Sequence, residues 1–380
     1  MMISRRNFLA VAGAAAAAAA LTACGGSSAS STSTASSAAA STASSAAEGG
    51  EKIVKVALTC DTGTIDDESF NQACWTAVSG YMGDDCQYYI PEADASDEDR
   101  ETMIRQAVND GADVIVCVGY LYGASLAWAA EQYPDIKFIA IDVTQGDIGT
   151  DSIPANCYCI TFKEEQAGYL AGYAIAKDGK TKLGFLGGMA VPAVIRYGYG
   201  FVQGADAAAK EIGATDVNIK YWYSGGFAAT DEVKNKMDGW YSEGTEVVFA
   251  CGGPVCVSCA AAAQANGGKM IGVDVDQSGQ FDTVVTSATK GLAESVNEAL
   301  TDAMNNGWKF SETYSGKETK LGAAENCVGL PMSTSKFTKF TQEQYDSMYA
   351  SIVDGTLAID DSYDADVKPA VTTITVDYQS

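Results

Sequence analysis

The chain has 380 residues, of which 47% are of hydrophobic types, and its 49 acidic and 24 basic residues give a formal net charge of −25. A surface this acidic repels the phosphates of nucleic acids and of anionic lipids, so we expect no nucleic-acid partner. Histidine is absent, which excludes Ser-His-Asp and Cys-His catalytic systems and removes the commonest zinc ligand. We therefore expect no metal site.

The first 24 residues have the features of an export signal. Residues 4–9 are SRRNFL, an alanine-rich apolar run follows, and the segment closes with LTAC at 21–24. A twin arginine in this setting is typical of bacterial export signals, and the apolar run is shorter than the about 20 residues that a membrane span needs. The ending resembles a lipobox. We expect residues 1–23 to be the signal and Cys24 to carry a lipid that anchors the protein extracytoplasmically, in a periplasm or at the cell surface.

Residues 24–51 form the predicted linker. After the cysteine they are almost entirely Ser, Ala, Thr and Gly, a composition that cannot bury enough apolar surface to offset the entropy of ordering. Roughly 330 residues remain from Lys52 onward, a length that suits two lobes better than a single core.

Short apolar runs alternate with amphipathic stretches through the rest of the chain. The strand candidates are 53–60, 86–90, 113–118, 136–142, 157–161, 182–187, 217–223, 246–251, 269–274 and 282–287. The helix candidates are 68–82, 97–110, 123–132, 163–177, 193–212, 229–242, 255–266 and 289–306. This order predicts an α/β protein with mostly parallel sheets covered on both faces, divided into two doubly wound lobes. The run 369–376 is predicted to end the chain as an edge strand or a hinge-side strand.

The segment between the first strand and the first helix, DTGTIDDESFNQ at 61–72, is a candidate ligand site. Small ligands of open α/β sheets bind in the crevice outside the carboxyl ends of the strands. A polar turn followed by a helix cap is the alternative interpretation. Glycine pairs at 187–188 and 252–253 also end strands just before helices. Neither has a full dinucleotide fingerprint and no P-loop is present, so no cofactor is expected.

Eleven cysteines are present. Ten follow Cys24, and most lie in apolar runs, where cysteine acts as a small buried hydrophobe. Cys256 and Cys259 have the spacing of a metal knuckle, but no second pair with matching spacing follows. A disulfide or two remains possible outside the cytoplasm.

Four ordered blocks carry a family resemblance. They are DTGTIDDESFNQACW, GFLGGMAVPAVIRYGYGFVQG, VFACGGPVCVSCAAAA and KMIGVDVDQ, within Lys52–Gly329. They resemble the signature blocks of the basic membrane protein (BMP) family, extracytoplasmic lipoproteins that are substrate-binding components of ABC transporters. The best-understood branch of that family resembles a purine nucleoside receptor. The resemblance implies a small-molecule ligand, no enzymatic activity, and delivery to an ABC permease with a separate ATPase.

The resemblance also implies the type I periplasmic-binding-protein fold, in which two lobes joined by three crossings close on a ligand. The first lobe is expected to hold 52–161 plus about 276–308, and the second 162–275 plus about 309–380. A receptor for riboflavin or a sugar on the same fold is one alternative. A secreted enzyme acting on nucleosides through Asp61 or Asp274 is another.

Strand ends and the first helix supply the residues predicted to bind the ligand. Asp61, Asp142 and Asp274 each end an apolar strand. Asp61 is predicted to accept hydrogen bonds from a hydroxyl or an amide-like base edge, and for the buried carboxylates of Asp142 and Asp274 ribose hydroxyls are suitable donors. Phe70 is predicted to stack on a planar base, and Asn71 offers both a donor and an acceptor to a purine edge. A turn cap for Asp61 and a core position for Phe70 are the alternatives.

The resemblance adds further residues and roles. It implies that Asp274 and Lys290 contact the sugar, that Asp142 reads the base or closes the lobes, and that Phe227 offers an opposing stacking face. Lys290 could instead only neutralise a cleft carboxylate. Gly252 is expected to offer backbone amides at the cleft.

Overall fold

Two largely parallel β-sheets form the framework of residues 54–380, the part of the chain that the computed structural model describes. The first sheet has the strand order β11-β5-β4-β3-β1-β2, and the second has the order β12-β10-β9-β8-β6-β7-β13. The predicted signal, the lipidated Cys24 and the linker lie outside the described residues.

The strands are β1 Lys55–Cys60, β2 Cys86–Tyr89, β3 Ala112–Val118, β4 Lys137–Ile141, β5 Cys157–Phe162, β6 Lys182–Gly187, β7 Asn218–Tyr223, β8 Val247–Cys251, β9 Lys269–Asp274, β10 Val284–Lys290, β11 Lys317–Leu321, β12 Val328–Gly329 and β13 Thr375–Tyr378. The helices are α1 Phe70–Met82, α2 Asp97–Asn109, α3 Gly123–Gln132, α4 Gln145–Ile148, α5 Glu164–Lys177, α6 Pro192–Ile212, α7 Asp231–Ser242, α8 Val255–Asn266, α9 Leu292–Asn305 and α10 Gln342–Val353.

Each strand and helix predicted before residue 310 is present, with ends shifted by a few residues. The final strand shows the largest difference, because it spans Thr375–Tyr378 rather than 369–376. Asp206 explains the shift, since its carboxylate accepts hydrogen bonds from the backbone N–H groups of Thr372, Thr373 and Ile374 at 2.7–3.1 Å. Those donors are already occupied, and pairing with β7 begins at the next residue, where β13 becomes an edge strand.

Two strands lie in the sheet opposite to the one expected from the predicted lobe ranges. β10 falls within 276–308 but pairs with β9 of the second sheet, whereas β11 falls within 309–380 but pairs with β5 of the first sheet. Helix α9 packs against α1 of the first lobe as expected. Apolar periodicity predicts β10 but does not reveal the partner of a strand, and β11, with the mostly polar sequence KETKL, is not among the predicted strands.

The chain crosses between the two lobes three times, and the three crossings lie next to one another. They follow β5 at Lys163, β10 at Gly291 and β11 at residues 322–327. The Lys163 N–H donates to the Leu321 carbonyl at 2.8 Å, and the Gly291 N–H donates to the Cys327 carbonyl at 2.7 Å. Backbone hydrogen bonds therefore tie the crossings together into one hinge.

Glycines let α5 and α6 approach closely beside this hinge. A Cβ at Gly168 would lie 2.1 Å from the Tyr197 carbonyl oxygen, and one at Gly200 would lie 2.1 Å from the Glu165 carbonyl oxygen. The contact brings the start of α6 against the start of α5, and both contribute charged groups near the cleft. Among residues 54–380, no helix is long and apolar enough to span a membrane.

Candidate ligand-binding cleft

A cleft lies between the carboxyl ends of the two sheets, and all eight residues predicted to bind the ligand line it. Its volume, including the part open to solvent, is about 790 Å³, within the range of small-ligand sites. The predicted residues along it are Asp61, Phe70, Asn71, Asp142, Phe227, Gly252, Asp274 and Lys290.

Asp61 is held at the end of β1 by the loop that follows β3. The Leu121 N–H donates to Asp61 Oδ2 at 3.0 Å, and Arg100 Nε donates to the Asp61 carbonyl at 3.1 Å. Gly119, at φ +117°, leaves space for the carboxyl group, because a Cβ there would lie 2.1 Å from it. Burial raises the pKa of Asp61 to about 7, although Leu121 and Arg100 oppose the shift.

The acid that caps the first turn of helix α1 is Asp67, two residues before the N-cap residue Ser69, rather than Asp61. Its carboxylate accepts hydrogen bonds from the backbone N–H groups of Ser69, Asn71 and Gln72 at 2.9–3.0 Å. Asp61, the first acid of the segment, therefore does not cap the helix and lines the cleft instead.

Asn71 presents a free acceptor to the cleft. Its Nδ2 donates to the Thr62 carbonyl at 2.9 Å, which fixes the orientation of the amide. Its Oδ1 is buried and has no hydrogen-bond partner among residues 54–380. A buried polar atom without a partner costs roughly 1–3 kcal/mol, so a ligand donor at this point would be favoured.

A buried chain of charges runs from the second lobe to the first. Arg196 Nε donates to Glu164 Oε2 at 2.7 Å, and Lys290 Nζ lies 3.4 Å from Glu164 Oε1 and 2.6 Å from Asp142 Oδ2. Burial acts to raise the pKa of Glu164, but the charges of Arg196 and Lys290 outweigh it and hold that pKa below its ordinary value. Burial would lower the pKa of Lys290, but Asp142 and Glu164 outweigh it and raise that pKa, so the ammonium stays charged.

Asp142 and Asp274 end their strands in the same unusual backbone conformation, at φ +60° and +65°. Burial raises the pKa of Asp142 to about 6 against the opposing effect of Lys290. Asp142 Oδ1 is buried without a partner among the described residues. Burial also raises the pKa of Asp274, although Lys290 and Ser69 oppose the shift. The strained backbone aims both carboxyl groups into the space between the lobes.

Two phenylalanines stand at the cleft wall. Lys290 Nζ lies 4.7 Å from the centroid of the half-buried Phe70 ring. The Phe227 ring packs against two glycines. A Cβ added at Gly188 would lie 2.3 Å from the ring, and a Cβ added at Gly252 would lie 3.1 Å from it. Gly252 therefore gives space to the ring as well as exposing backbone at the cleft.

Polar contacts join the lobes across the cleft. Ser69 Oγ of the first lobe donates to Asp274 Oδ2 of the second at 2.6 Å, and Gln277 Nε2 donates to the Glu68 carbonyl at 2.9 Å. Together with the Lys290–Asp142 pair, these bonds hold the two lobes in contact around the site.

Sequence reasoning missed four residues of this region. Asp67 and Tyr197 line the cleft, and Glu164 and Arg196 extend the charge chain behind it. The Asp67 cap had a local signal, an acid two residues before a serine at a helix start. The other three lie on α5 and α6, and only the packing of those helices brings them to the site.

Comparison with known proteins identifies the family. The Bmp family, described as PnrA-like substrate-binding proteins of ABC transporters, matches residues 53–362. The chain belongs to this family. Basic membrane protein A of Borreliella burgdorferi is 30% identical over 308 residues, which are 80% of this chain and 87% of that protein. A Bmp relative from Lactococcus lactis subsp. cremoris, named ABC transporter nucleoside-binding protein BmpA, is 28% identical over 59% of this chain and 64% of its own length.

Solved structures agree with this Bmp assignment at the level of the fold. An ABC transporter solute-binding protein from Aeropyrum pernix superposes with a TM-score of 0.69 at 22% identity, covering 82% of this chain and 95% of its own. A solute-binding protein from Conexibacter woesei gives 0.63 at 21% identity, covering 81% and 99%. The fold is the type I periplasmic-binding-protein fold, as predicted.

Proposed function

We propose that this ABC transporter substrate-binding protein captures a purine nucleoside by closure of its two lobes. The closed form then delivers the nucleoside to an ABC permease that is driven by a separate ATPase. A lipid on Cys24 anchors the protein outside the cytoplasm in this proposal.

The unpartnered acceptors of the cleft carry the proposal. Asn71 Oδ1 and Asp142 Oδ1 are both buried, both lack a donor among the described residues, and both border a cavity flanked by Phe70 and Phe227. A purine nucleoside supplies what this arrangement lacks, because it has a flat aromatic base together with N–H and O–H donors. The name of the Lactococcus lactis relative, a nucleoside-binding protein, supports the same ligand class.

Each residue then has a defined role. Phe70 and Phe227 stack on the base, an interaction worth on the order of 1–3 kcal/mol per base in nucleic-acid complexes. Asp61 and Asn71 accept hydrogen bonds from the base edge. Asp274 and Lys290 contact the sugar hydroxyls. Asp142, for which the resemblance implies base reading or lobe closure, accepts from a sugar hydroxyl instead in this proposal, because its Oδ1 has no partner while Lys290 pairs with its Oδ2. Gly252 offers backbone to the ligand.

Lobe closure follows from where these groups lie. Asp61, Phe70, Asn71 and Asp142 belong to the first lobe, whereas Phe227, Gly252, Asp274 and Lys290 belong to the second. A ligand that touches both sets favours the closed state, because only that state satisfies all of them at once.

A thermal-shift screen tests the ligand class. The purified protein is heated with guanosine, inosine, adenosine, cytidine, riboflavin or ribose, and the proposal predicts the largest increase in melting temperature with a purine nucleoside. A shift with riboflavin or ribose alone would replace the nucleoside by that ligand on the same fold. Release of hypoxanthine from inosine would instead indicate an enzyme.

Membrane anchoring has its own test. The Cys24→Ala variant should leave the membrane fraction and appear in the soluble extracytoplasmic fraction, and it should not incorporate a labelled fatty acid. Wild-type protein that carries no lipid label would contradict this part of the proposal and leave the ligand assignment intact.

A further inference from the structure

The hydroxyl group of Tyr197 is a buried polar atom for which the described protein provides no partner. Tyr197 lies on α6, is 2% exposed, and lines the cleft. Its OH has no hydrogen-bond partner among residues 54–380. The ring is held in place by Phe249, with centroids 5.9 Å apart in an edge-to-face arrangement. The hydroxyl therefore has a fixed position in the cleft wall.

Tyr197 shares its surroundings with the unpartnered oxygen of Asp142. Lys290 Nζ lies 6.0 Å from the centroid of the Tyr197 ring and 2.6 Å from Asp142 Oδ2. Tyr197 and Asp142 thus both line the cleft near the Lys290 ammonium group, and each carries a buried oxygen without a hydrogen-bond partner among the described residues.

The chemistry of the two atoms restricts the ligand group that can satisfy them. Burial raises the pKa of Tyr197 well above its ordinary value, so the phenol stays protonated and can donate. The Asp142 carboxylate can only accept. A base N–H only donates and a base carbonyl only accepts, but an aliphatic hydroxyl does both through one oxygen. The group best suited to this end of the cleft is a sugar hydroxyl.

We infer that Tyr197 is a specificity-determining residue that donates a hydrogen bond to the 2′- or 3′-hydroxyl of the pentose and so selects ribonucleosides over analogues that lack that hydroxyl. The inference rests on the proposed function. A deoxy ligand leaves the phenol hydroxyl unpartnered, and an unpartnered buried group is costly.

The inference is tested by comparing one protein variant with the wild type on ligands that each lack a single hydroxyl group. Wild-type protein and the Tyr197→Phe variant are titrated calorimetrically with guanosine, 2′-deoxyguanosine and 3′-deoxyguanosine. Loss of one hydrogen bond should weaken guanosine binding about two- to tenfold in the variant. The deoxy analogue that lacks the contacted hydroxyl should bind the two proteins equally.

Tyr199→Phe is the matched control on the same helix. Its hydroxyl donates to the Asp364 carbonyl at 2.9 Å and is not part of the cleft, so this variant should bind all three ligands in the wild-type order. Tyr197→Phe removes only an unpartnered hydroxyl, and its melting temperature without ligand should equal or exceed that of the wild type.

Four results would overturn the inference. Equal weakening of all three ligands would mean that Tyr197 contacts neither the 2′- nor the 3′-hydroxyl, and unchanged guanosine affinity would mean that it contributes nothing. A wild-type protein that binds no nucleoside would remove the proposed function as well. Nucleoside binding without any difference between guanosine and its deoxy analogues would remove this inference alone.

Discussion

Replacing Lys290 by methionine tests the buried charge chain at the hinge. The ammonium group is almost completely buried, with its side chain 2% exposed, and it pairs with Asp142 and Glu164. Methionine keeps much of the side-chain volume and removes the charge. Glu164 keeps Arg196 as a partner at 2.7 Å, so the main group left without its partner is Asp142.

Breaking a buried ion pair by removing one partner costs about 3–5 kcal/mol, a large part of the about 5–15 kcal/mol by which most domains are stable. We expect the Lys290→Met variant to lose about 3 kcal/mol of unfolding free energy near neutral pH. The pKa of Asp142 is already about 6 with Lys290 present, and without the ammonium it must rise further. Below that pKa the carboxyl group is protonated and uncharged, so the loss should shrink as the pH falls.

Urea unfolding followed by circular dichroism measures this loss at about pH 7.5 and about pH 5. The double variant Asp142→Asn, Lys290→Met should recover at least half of it, because no buried carboxylate is then left unpaired. Lys320→Met is the matched control, since its partner Asp361 is 61% exposed and such surface pairs contribute about 1 kcal/mol or less. A Lys290→Met loss no larger than that of the control, or one that grows at low pH, would refute this account of the charge chain.

Three further predictions concern the first helix and the cleft. Asp61 has a pKa of about 7, so its carboxylate is protonated as the pH falls and can no longer accept two hydrogen bonds. Nucleoside affinity should therefore fall about tenfold or more from about pH 8 to about pH 5. Binding titrations across this pH range should give a flatter profile for Asp61→Asn than for the wild type. A Cβ at Gly188 would lie 2.3 Å from the Phe227 ring, whereas a Cβ at Gly226 would meet nothing within 4 Å. Gly188→Ala should therefore displace the Phe227 ring and weaken nucleoside binding in a calorimetric titration. Gly226→Ala should not. Asp67→Ala removes the acceptor of three backbone N–H groups and should lower the unfolding free energy by about 1–2 kcal/mol in urea, with a smaller loss for Asp67→Asn.

The position of the three strand-end acids along the candidate cleft could be predicted because the ends of strands can be recognised in the sequence. Asp61, Asp142 and Asp274 follow apolar runs, and the carboxyl ends of parallel strands meet at one edge of a sheet. The sequence pattern alone therefore predicts that these three acids lie close together at the cleft. Phe70 and Asn71 follow from the same geometry, as they open the helix after the first strand.

Partner choice could not be predicted in the same way. Nothing in the order of residues shows that Lys290 pairs with Asp142, 148 positions earlier, rather than with another acid of the cleft. Asp67 rather than Asp61 caps the first helix, and the Asp61 carboxylate instead accepts from the Leu121 N–H in the loop after β3, 60 positions away. Tyr197 lies on α6 where that helix packs closely on α5 at glycines, a contact between distant parts of the chain. Such contacts depend on the packing of distant elements.

Calorimetric titration of the purified wild-type protein with guanosine tests the central claim most directly. Our account predicts saturable binding of one nucleoside per chain. Replacing Asn71 by alanine should abolish or strongly weaken this binding, because the buried Oδ1 acceptor and the Nδ2 group that orients it are then lost. Cytidine and ribose should bind more weakly than guanosine. The absence of saturable heat with guanosine, inosine and adenosine alike would contradict the claim that this cleft is a purine nucleoside site.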